Sequence, residues 1–325
     1  MCRWLAYSGA PLYLEELIFK PEHSIIDQSL SAREGPSTTN GDGFGIGWFG
    51  SRDTPGVYKD IQPAWNDANL RHLAEQIRSH MFLAHVRAAT GGTPVQQTNC
   101  HPFRHGRWLF LHNGRVRDFP QVRRDLDFGV SPSLYNFMEG TTDSEVMFHL
   151  ALTFGLEDDP VGSLERMVGF VEEKGWDAGI EHPVQMTVGL TNGHHLYAVR
   201  YSSDHQSRTL YHSRSMRALQ ALNPTFKRYS EDAIVVVSEP MNDVMEYWTE
   251  IHESTMDDDG VMSMAPAGAD LLAIADGDQM MMEPGGLHVM CMAVAEPLAE
   301  GDVVELALTF RQAGTVRIEV PVEQR

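Results

Sequence analysis

The sequence predicts an α+β fold in which strands and a pair of helices form layers. Two observations carry this prediction. The hydrophobic pattern changes from strand-like to helical and back along the chain, and the two strongest helical segments are consecutive. An order of strands, paired helices and further strands is typical of layered α+β proteins.

The first strands are predicted from alternation and from glycine. Residues 2–7 alternate as a strand does, and the stretch "GFGIGWF" at 43–49 is apolar and interrupted by glycine. Glycine inside a strand is typical of a site that other backbone approaches closely. Residues 67–79 have the periodicity of an amphipathic helix, and residues 81–88 have that of a strand.

A loop and a further strand follow. Residues 89–106 contain the glycine, proline and asparagine expected of a loop. The strand predicted over 108–114 ends at Asn113 and Gly114, and an Asn-Gly pair is also the strongest short signal for a hairpin turn. The sequence therefore leaves two interpretations of this pair, a turn or a polar site.

The paired helices are predicted next. Thr142 and Glu145 have the spacing of a capping box, which opens a helix over 143–156, and a second helix covers 161–174. Strands then dominate the chain. They are predicted over residues 185–191, 195–201, 209–213 and 233–238.

Charge and cysteine content exclude several classes of function. The formal net charge is −20, so the surface repels phosphate backbones and nucleic-acid binding is not expected. Three cysteines cannot form a disulfide framework, which favours a reducing compartment. No apolar run is long enough to cross a bilayer and no signal peptide is predicted. We therefore expect a cytoplasmic protein without membrane contact.

Cys2 is a candidate nucleophile because of its position. Methionine aminopeptidases generally remove Met1 when a small residue follows, which leaves a thiol and an α-amine on one residue. An α-amine titrates near neutral pH, at about 7.7–8.0, so it can act as a base for the thiol. The alternative is that Cys2 is an incidental second residue.

Three further positions suit the recognition of glutamine. Asn113 and Gly114 could supply N–H donors to an oxyanion, Arg87 could hold a carboxylate, and Asp143 could hold an ammonium. Taken singly, these residues fit equally well a turn, a surface ion pair and a helix-dipole contact. Together with Cys2 they match the amide, carboxylate and ammonium of one small molecule.

Six stretches occur in the order found in class II glutamine amidotransferases. They are "MCRWLAYSGAP", "NGDGFGIGWF", "FLAHVRAATGG", "NCHPF", "LHNGRV" and "GTTDSE". Residues 2 to about 250 most resemble the single-domain, γ-glutamyl hydrolase-like branch, and Gly91 stands where sugar-phosphate-forming members carry histidine. The resemblance implies a four-layer αββα N-terminal-nucleophile hydrolase fold. It implies Cys2 as nucleophile with its own α-amine as base, and an oxyanion hole at Asn113 and Gly114.

The same resemblance implies substrate-binding roles for Arg87 and Asp143 and supporting roles for Thr90 and His101. The expected reaction is hydrolysis of a γ-glutamyl amide through a thioester on Cys2, with a small-molecule substrate and no cofactor. Two alternatives remain open. The chain could be a glutaminase subunit that delivers ammonia to a separate synthase, or a Cu(I)-binding protein on a non-catalytic amidotransferase-like scaffold.

A change in composition predicts a domain boundary near residue 250, which gives an amidotransferase-like domain at 1–250 and a β-rich region at 251–325. Ten of the 17 methionines lie between Met241 and Met292. The later region resembles the C-terminal part of PCuAC-type copper chaperones, which implies a small all-β, partial cupredoxin-like sandwich. Cu(I) favours soft thioether and imidazole ligands.

Four ligand positions for Cu(I) are implied by that second resemblance. His288 and Met290 alternate on one predicted strand and so share a face, and His252 and Met264 match the other two positions. The alternative is that methionine and histidine simply fill and border a small β-layer.

Overall fold

The fold is built from two antiparallel β-sheets and the helices beside them. The computed structural model describes residues 2–34, 39–89, 93–222, 230, 233–256, 262–263, 303–310 and 314–321. The chain divides into two compact units, Met1–Ala267 and Gly268–Arg325. The domain boundary expected between residues 250 and 251 stays a prediction.

The strands are β1 (Arg3–Tyr13), β2 (Phe44–Trp48), β3 (Gly56–Asp60), β4 (Arg78–Val86), β5 (Phe103–His105), β6 (Trp108–Val116), β7 (Val184–Thr191), β8 (Leu196–Ser202), β9 (Tyr211–Ser213), β10 (Ile234–Val237), β11 (Trp248–Glu250), β12 (Thr255–Met256), β13 (Met262–Ser263), β14 (Val303–Phe310) and β15 (Gly314–Pro321). The helices are α1 (Glu15–Ile18), α2 (Ile25–Leu30), α3 (Ala68–Gln76), α4 (Phe119–Gly129), α5 (Pro132–Tyr135), α6 (Asp143–Thr153), α7 (Pro160–Asp177) and α8 (Met216–Leu222).

Two sheets dominate the first unit. The first sheet has seven strands in the order β11-β9-β10-β1-β4-β2-β3, and the second has four in the order β5-β6-β7-β8. β12 pairs with β13, and in the second unit β14 pairs with β15. Neighbouring strands are antiparallel throughout the described residues. The mixed α and β content expected from the sequence is confirmed.

Both faces of β1 are buried, which explains its apolar alternation. Trp4 and Ala6 pack in a cluster with Leu111 of the second sheet. Leu5 and Tyr7 point the other way, into a cluster that includes residues of α1, α2 and α3. A third cluster joins the far face of the second sheet to α4, α6 and α7. Burial on both faces holds β1, and the residue before it, in the centre of the unit.

Gly43 and the glycines of β2 allow another segment to lie directly on the strand. A side chain on Gly43 would meet the Sγ atom of Cys100, and one on Gly45 would meet the carbonyl oxygen of His101. A side chain on Gly47 would meet Leu109 of β6. The close backbone approach predicted from this stretch is confirmed, and it places residues 100–101 against the first sheet.

Several elements differ from the sequence prediction. The predicted loop 89–106 contains the short strand β5, and the predicted helix 143–156 ends at Thr153. Thr142 accepts the backbone N–H of Glu145 as the capping box requires. The Glu145 carboxylate, however, accepts N–H groups from the preceding loop, because that loop turns back over the helix start. No helix among the described residues combines the length and apolar composition that a bilayer crossing requires.

Candidate active site

Cys2 lies at the edge where β1 begins and β4 ends. Arg3 pairs with Val86 in the ladder, so Cys2 comes beside the residues that follow β4. The backbone N–H of Ala88 points to the Cys2 Sγ atom at 3.4 Å, and the Ala88 carbonyl oxygen lies 3.5 Å from the same atom. The thiol is therefore held by backbone on its β4 side.

The environment of the Cys2 thiol favours its protonated form. Burial raises the pKa of this thiol, although the Ala88 N–H group and the positive charges of Arg87 and Arg3 oppose that effect. A thiol with a raised pKa is a weak nucleophile at neutral pH. The site therefore requires a base that removes the proton from Cys2.

Asn113 contacts Cys2 directly. Its side-chain Nδ2 donates to the Cys2 carbonyl oxygen at 2.8 Å, and a side-chain amide nitrogen carries two hydrogens. The backbone of Asn113 is held in turn, because the Thr187 hydroxyl donates to its carbonyl oxygen at 3.3 Å and accepts the indole N–H of Trp4 at 3.0 Å. Among the described residues, the second Nδ2–H of Asn113 has no acceptor, so it remains for a ligand.

Gly114 follows on β6 in a tight surrounding. A side chain there would collide with the Gln185 carbonyl oxygen and lie 2.6 Å from Nε2 of His112. Only glycine therefore fits at this point of β6. The strand continues through Asn113 and Gly114, so the hairpin turn that the sequence left open is excluded.

Arg87 is buried at the end of β4 with 4% of its surface exposed. Its backbone N–H donates to the Gly43 carbonyl oxygen at 2.8 Å. Its guanidinium makes a long hydrogen bond of 3.4 Å to the Asp42 carbonyl oxygen, which leaves further N–H donors on the group. A buried guanidinium with spare donors suits a carboxylate ligand.

Asp143 is the first residue of α6 and lies close to the end of β6. One carboxylate oxygen accepts the Val116 N–H at 2.7 Å, and the other accepts the Ser144 N–H at 2.8 Å. Each carboxylate oxygen accepts more than one hydrogen bond, so an ammonium group can share this carboxylate. The contact with Val116 also fixes Asp143 beside β6, because Val116 lies two residues after Gly114 on that strand.

The remaining predicted residues of the first domain have different surroundings. His101 is buried against His85 with ring centroids 4.3 Å apart, and the ring nitrogens of both residues have no hydrogen-bond partner within the described part of the chain. Burial first, and then the neighbouring charge of His85, lowers the pKa of His101, so its ring is neutral. Thr90 lies outside the described residues.

Of the implied copper ligands, the structure describes His252 alone, and this residue is exposed. Met264, His288 and Met290 lie outside the described residues. Where the structure does describe the chain, no group of three or more His, Cys, Asp and Glu side chains converges as metal ligands. The Cu(I) site therefore stays a prediction.

A buried polar network behind Cys2 was not predicted. Arg3 donates from Nη1 to the Cys2 carbonyl oxygen at 3.0 Å and from Nε to Glu239 at 2.8 Å. Glu239 also contacts Nε2 of His23, whose other ring nitrogen lies 2.5 Å from Asp27. The members of this network lie far apart in the sequence. The stretch "IVVVSEP" was the one signal that could have indicated Glu239.

Two family models match this chain. A family model for class II glutamine amidotransferases matches residues 21–268. A second model, described as lipoprotein LpqE-like, matches residues 227–322 and overlaps the first.

Individual relatives and solved structures were also found. The probable glutamine amidotransferase DUG3 of Saccharomyces cerevisiae is 31% identical over 77% of this chain and 79% of its own length. The γ-glutamyl-hercynylcysteine sulfoxide hydrolase of Mycolicibacterium smegmatis is 35% identical over 52% of this chain and 69% of its own. A glutamine aminotransferase class-II domain protein from Silicibacter pomeroyi shares 34% identity with a TM-score of 0.56, covering 77% of this chain and 91% of that structure. The chain therefore belongs to the class II glutamine amidotransferases, a family of enzymes.

Proposed function

We propose that this protein hydrolyses γ-glutamyl amides through a thioester on Cys2, within an N-terminal-nucleophile αββα fold. The observation that carries the proposal is the 2.8 Å contact of the Asn113 side chain with Cys2, beside a thiol that the Ala88 N–H also contacts. The similarity to DUG3 and to the γ-glutamyl-hercynylcysteine sulfoxide hydrolase supports the same reaction class.

The first step begins once Met1 has been removed. The free α-amine of Cys2 takes the thiol proton, which the raised pKa of Cys2 makes necessary. The Sγ atom attacks the γ-carbonyl carbon, and the oxyanion accepts hydrogen bonds from the free Nδ2–H of Asn113 and the backbone N–H of Gly114. The C–N bond then breaks, the amine leaves with the proton, and a thioester remains.

The second step is hydrolysis. Water loses a proton to the α-amine and adds to the thioester carbonyl, and the same oxyanion donors stabilise the tetrahedral species. The C–S bond breaks, free glutamate leaves, and the proton returns to Cys2. No cofactor takes part in either step.

Substrate recognition is proposed to use the two charged residues on either side of this chemistry. Arg87 holds the α-carboxylate of the glutamyl group with its spare guanidinium donors, and Asp143 holds the α-ammonium. Thr90 and His101 are proposed as supporting residues. The buried neutral ring of His101 suits packing against the segment that carries Arg87 rather than charge recognition.

The proposal is tested by mass spectrometry after treatment with a glutamine-like diazoketone. We expect loss of Met1 and an adduct on Cys2, while the buried Cys100 in the same protein serves as the internal control and stays unlabelled. Cys2→Ser should abolish both the adduct and glutamate release. Retention of Met1 together with an unlabelled Cys2 would contradict the proposed function.

The two alternatives are separated by simple assays. Glutamate release by the purified chain alone contradicts a glutaminase that requires a synthase partner. Cu(I) binding by the region 251–325 is tested with a competing chelator, using the full chain and the His288→Ala variant. Equal Cu(I) retention by both proteins would contradict the proposed ligand set.

A further inference from the structure

Two arginines close to the oxyanion residues have no counterion among the residues that the structure describes. Arg115 follows Gly114 on β6, and Arg208 lies in the segment between β8 and β9. Within the described part of the chain, neither guanidinium forms an ion pair or a hydrogen bond. Other arginines of this region are paired, as Arg117 is with Asp204.

Arg115 is on the face of β6 that Asn113 uses to reach Cys2. Leu109 and Leu111 pack between the two sheets, and side chains of a strand alternate between its faces. The next two residues on that face are Asn113, which contacts Cys2, and then Arg115. The Arg115 side chain therefore extends the face that meets the nucleophile.

Arg208 lies in a segment that contacts both the second sheet and the end of β10. The Gln185 side chain, opposite Arg115 in the ladder, donates to the Gln206 carbonyl oxygen at 2.6 Å. The Thr209 hydroxyl donates to the Ser238 carbonyl oxygen at 3.0 Å. Arg208 therefore lies between Gln185, the residue opposite Arg115 on β7, and the end of β10.

The electrostatics agree with this placement. Burial first, and then the positive charges of Arg115 and Arg3, lowers the pKa of Arg208, while Asp204 opposes the effect. Arg3 is neutralised by Glu239, but Arg115 and Arg208 repel each other. In a chain of net charge −20, two neighbouring cations without an ion-pair partner among the described residues do not stabilise the fold. Such a pair suits an anionic ligand.

The order of the strands in the first sheet indicates how a bound substrate is oriented across Cys2. β1 lies between β4 and β10, so Arg87 after β4 and Arg208 beside the end of β10 lie on opposite sides of Cys2. With the glutamyl carboxylate at Arg87, the leaving amine points toward Arg208 and Arg115.

We propose that Arg115 and Arg208 form a leaving-group site for a carboxylate, so that the substrate class is a γ-glutamyl amino acid or peptide with a free carboxylate. This inference rests on the proposed hydrolysis at Cys2. Guanidinium groups bind carboxylates through paired, charge-assisted hydrogen bonds. Glutamine, which releases ammonia, leaves both arginines without a ligand.

The test compares γ-glutamylglycine with γ-glutamylglycinamide, which share the scissile bond and differ in the carboxylate. We expect the wild-type enzyme to prefer γ-glutamylglycine by about tenfold in kcat/KM. Arg208→Gln and Arg115→Gln should each reduce that ratio, and the double variant should bring it close to one. Arg208→Lys, which keeps the charge, should retain part of the preference, and added salt should weaken it.

Arg124→Gln is the matched control, because Arg124 packs over the exposed Phe128 on α4. Its selectivity ratio should equal that of the wild type. Hydrolysis of both substrates with equal kcat/KM by the wild type would overturn the leaving-group site alone. Absence of hydrolysis of both substrates, with no diazoketone adduct on Cys2, would overturn the proposed function and this inference together.

Discussion

Arg3 and Glu239 form a buried ion pair, with Nε and Oε2 2.8 Å apart, although they are separated by 236 positions in the chain. Arg3 also donates to the Cys2 carbonyl oxygen at 3.0 Å, and the backbone N–H groups of Arg33 and Glu34 donate to Glu239. The carbonyl of Cys2 is thus fixed by Arg3 on one side and by Asn113 on the other. Glu239 is therefore linked to Cys2 through Arg3.

Glu239→Gln should therefore lower both stability and kcat. Removing one charge of a buried pair costs about 3–5 kcal/mol, because Arg3 is left without its counterion. The measurement is urea unfolding together with steady-state kinetics on fully folded protein. Glu172→Gln is the matched control, since Glu172 is equally buried but accepts hydroxyl groups of Tyr201 and Ser203. An equal loss of kcat in both variants would argue against positioning by Glu239.

The stability deficit of Glu239→Gln should depend on pH. Burial alone raises the pKa of Glu239, but His23, the two backbone N–H groups and Arg3 lower it from 4.5 to about 2. The ionised Glu239 carboxylate therefore stabilises the folded state by about 3 kcal/mol at a pH above its unfolded pKa. This contribution to the free energy of unfolding is lost as the pH falls from 4.5 toward 2.

The titration of His23 sets the upper limit of the pH range in which this stabilisation is complete. Burial lowers its pKa, yet the hydrogen bonds to Glu239 and Asp27 outweigh burial and raise it above 6.5. Its contribution is complete below the unfolded pKa and is lost as the pH rises through the folded pKa. The unfolding free energies of wild type and Glu239→Gln should differ most between pH 4.5 and 6.5 and converge toward about pH 2. A difference that is constant with pH would contradict this assignment.

Gly114→Ala should disable the oxyanion site. The new methyl group would collide with the Gln185 carbonyl oxygen of β7, so β6 must shift at the residue that follows Asn113. Loss of one oxyanion donor typically costs about 100- to 1,000-fold in kcat. The measurement is kcat for glutamate release, and Gly50→Ala is the control because a side chain at Gly50 meets no atom within 4 Å. Wild-type kcat in Gly114→Ala would exclude this oxyanion site.

Glu145→Gln should weaken substrate binding more than it slows chemistry. The Glu145 carboxylate accepts the N–H groups of Glu139 at 2.8 Å and Gly140 at 2.7 Å, and this loop leads into Asp143. A glutamine offers one acceptor in place of two, so the loop loosens and KM should rise by about tenfold with little change in kcat. Glu157→Gln, at an exposed position, is the control. A fall in kcat at constant KM would contradict this role.

Local sequence patterns predicted the features that depend on residues close together in the chain. The glycines of β2, the strand that ends beyond Gly114, and the Thr142 cap of α6 each depend on neighbours within a few residues. The resemblance to known amidotransferases supplied the roles of the polar residues. The helix α4 was missed, although Val122 and Leu126 are buried at helical spacing, because its polar residues dominate the stretch.

Long-range contacts could not be predicted in the same way. The pairing of Arg3 with Glu239 depends on the strand order of the first sheet, and the approach of Arg208 to Arg115 depends on both sheets. No spacing in the sequence encodes that order. An arginine without a counterion becomes visible only when every neighbour in space is known.

The two hydrogen bonds that hold the Cys2 carbonyl have a consequence for biosynthesis. Arg3 is translated 236 residues before Glu239, so it meets this carboxylate only after residue 239 has been added. A nascent chain that stops short of this point carries Cys2 without the ion pair that holds Arg3 beside the Cys2 carbonyl. We therefore expect the proposed active site to assemble only when translation of the first sheet is nearly finished.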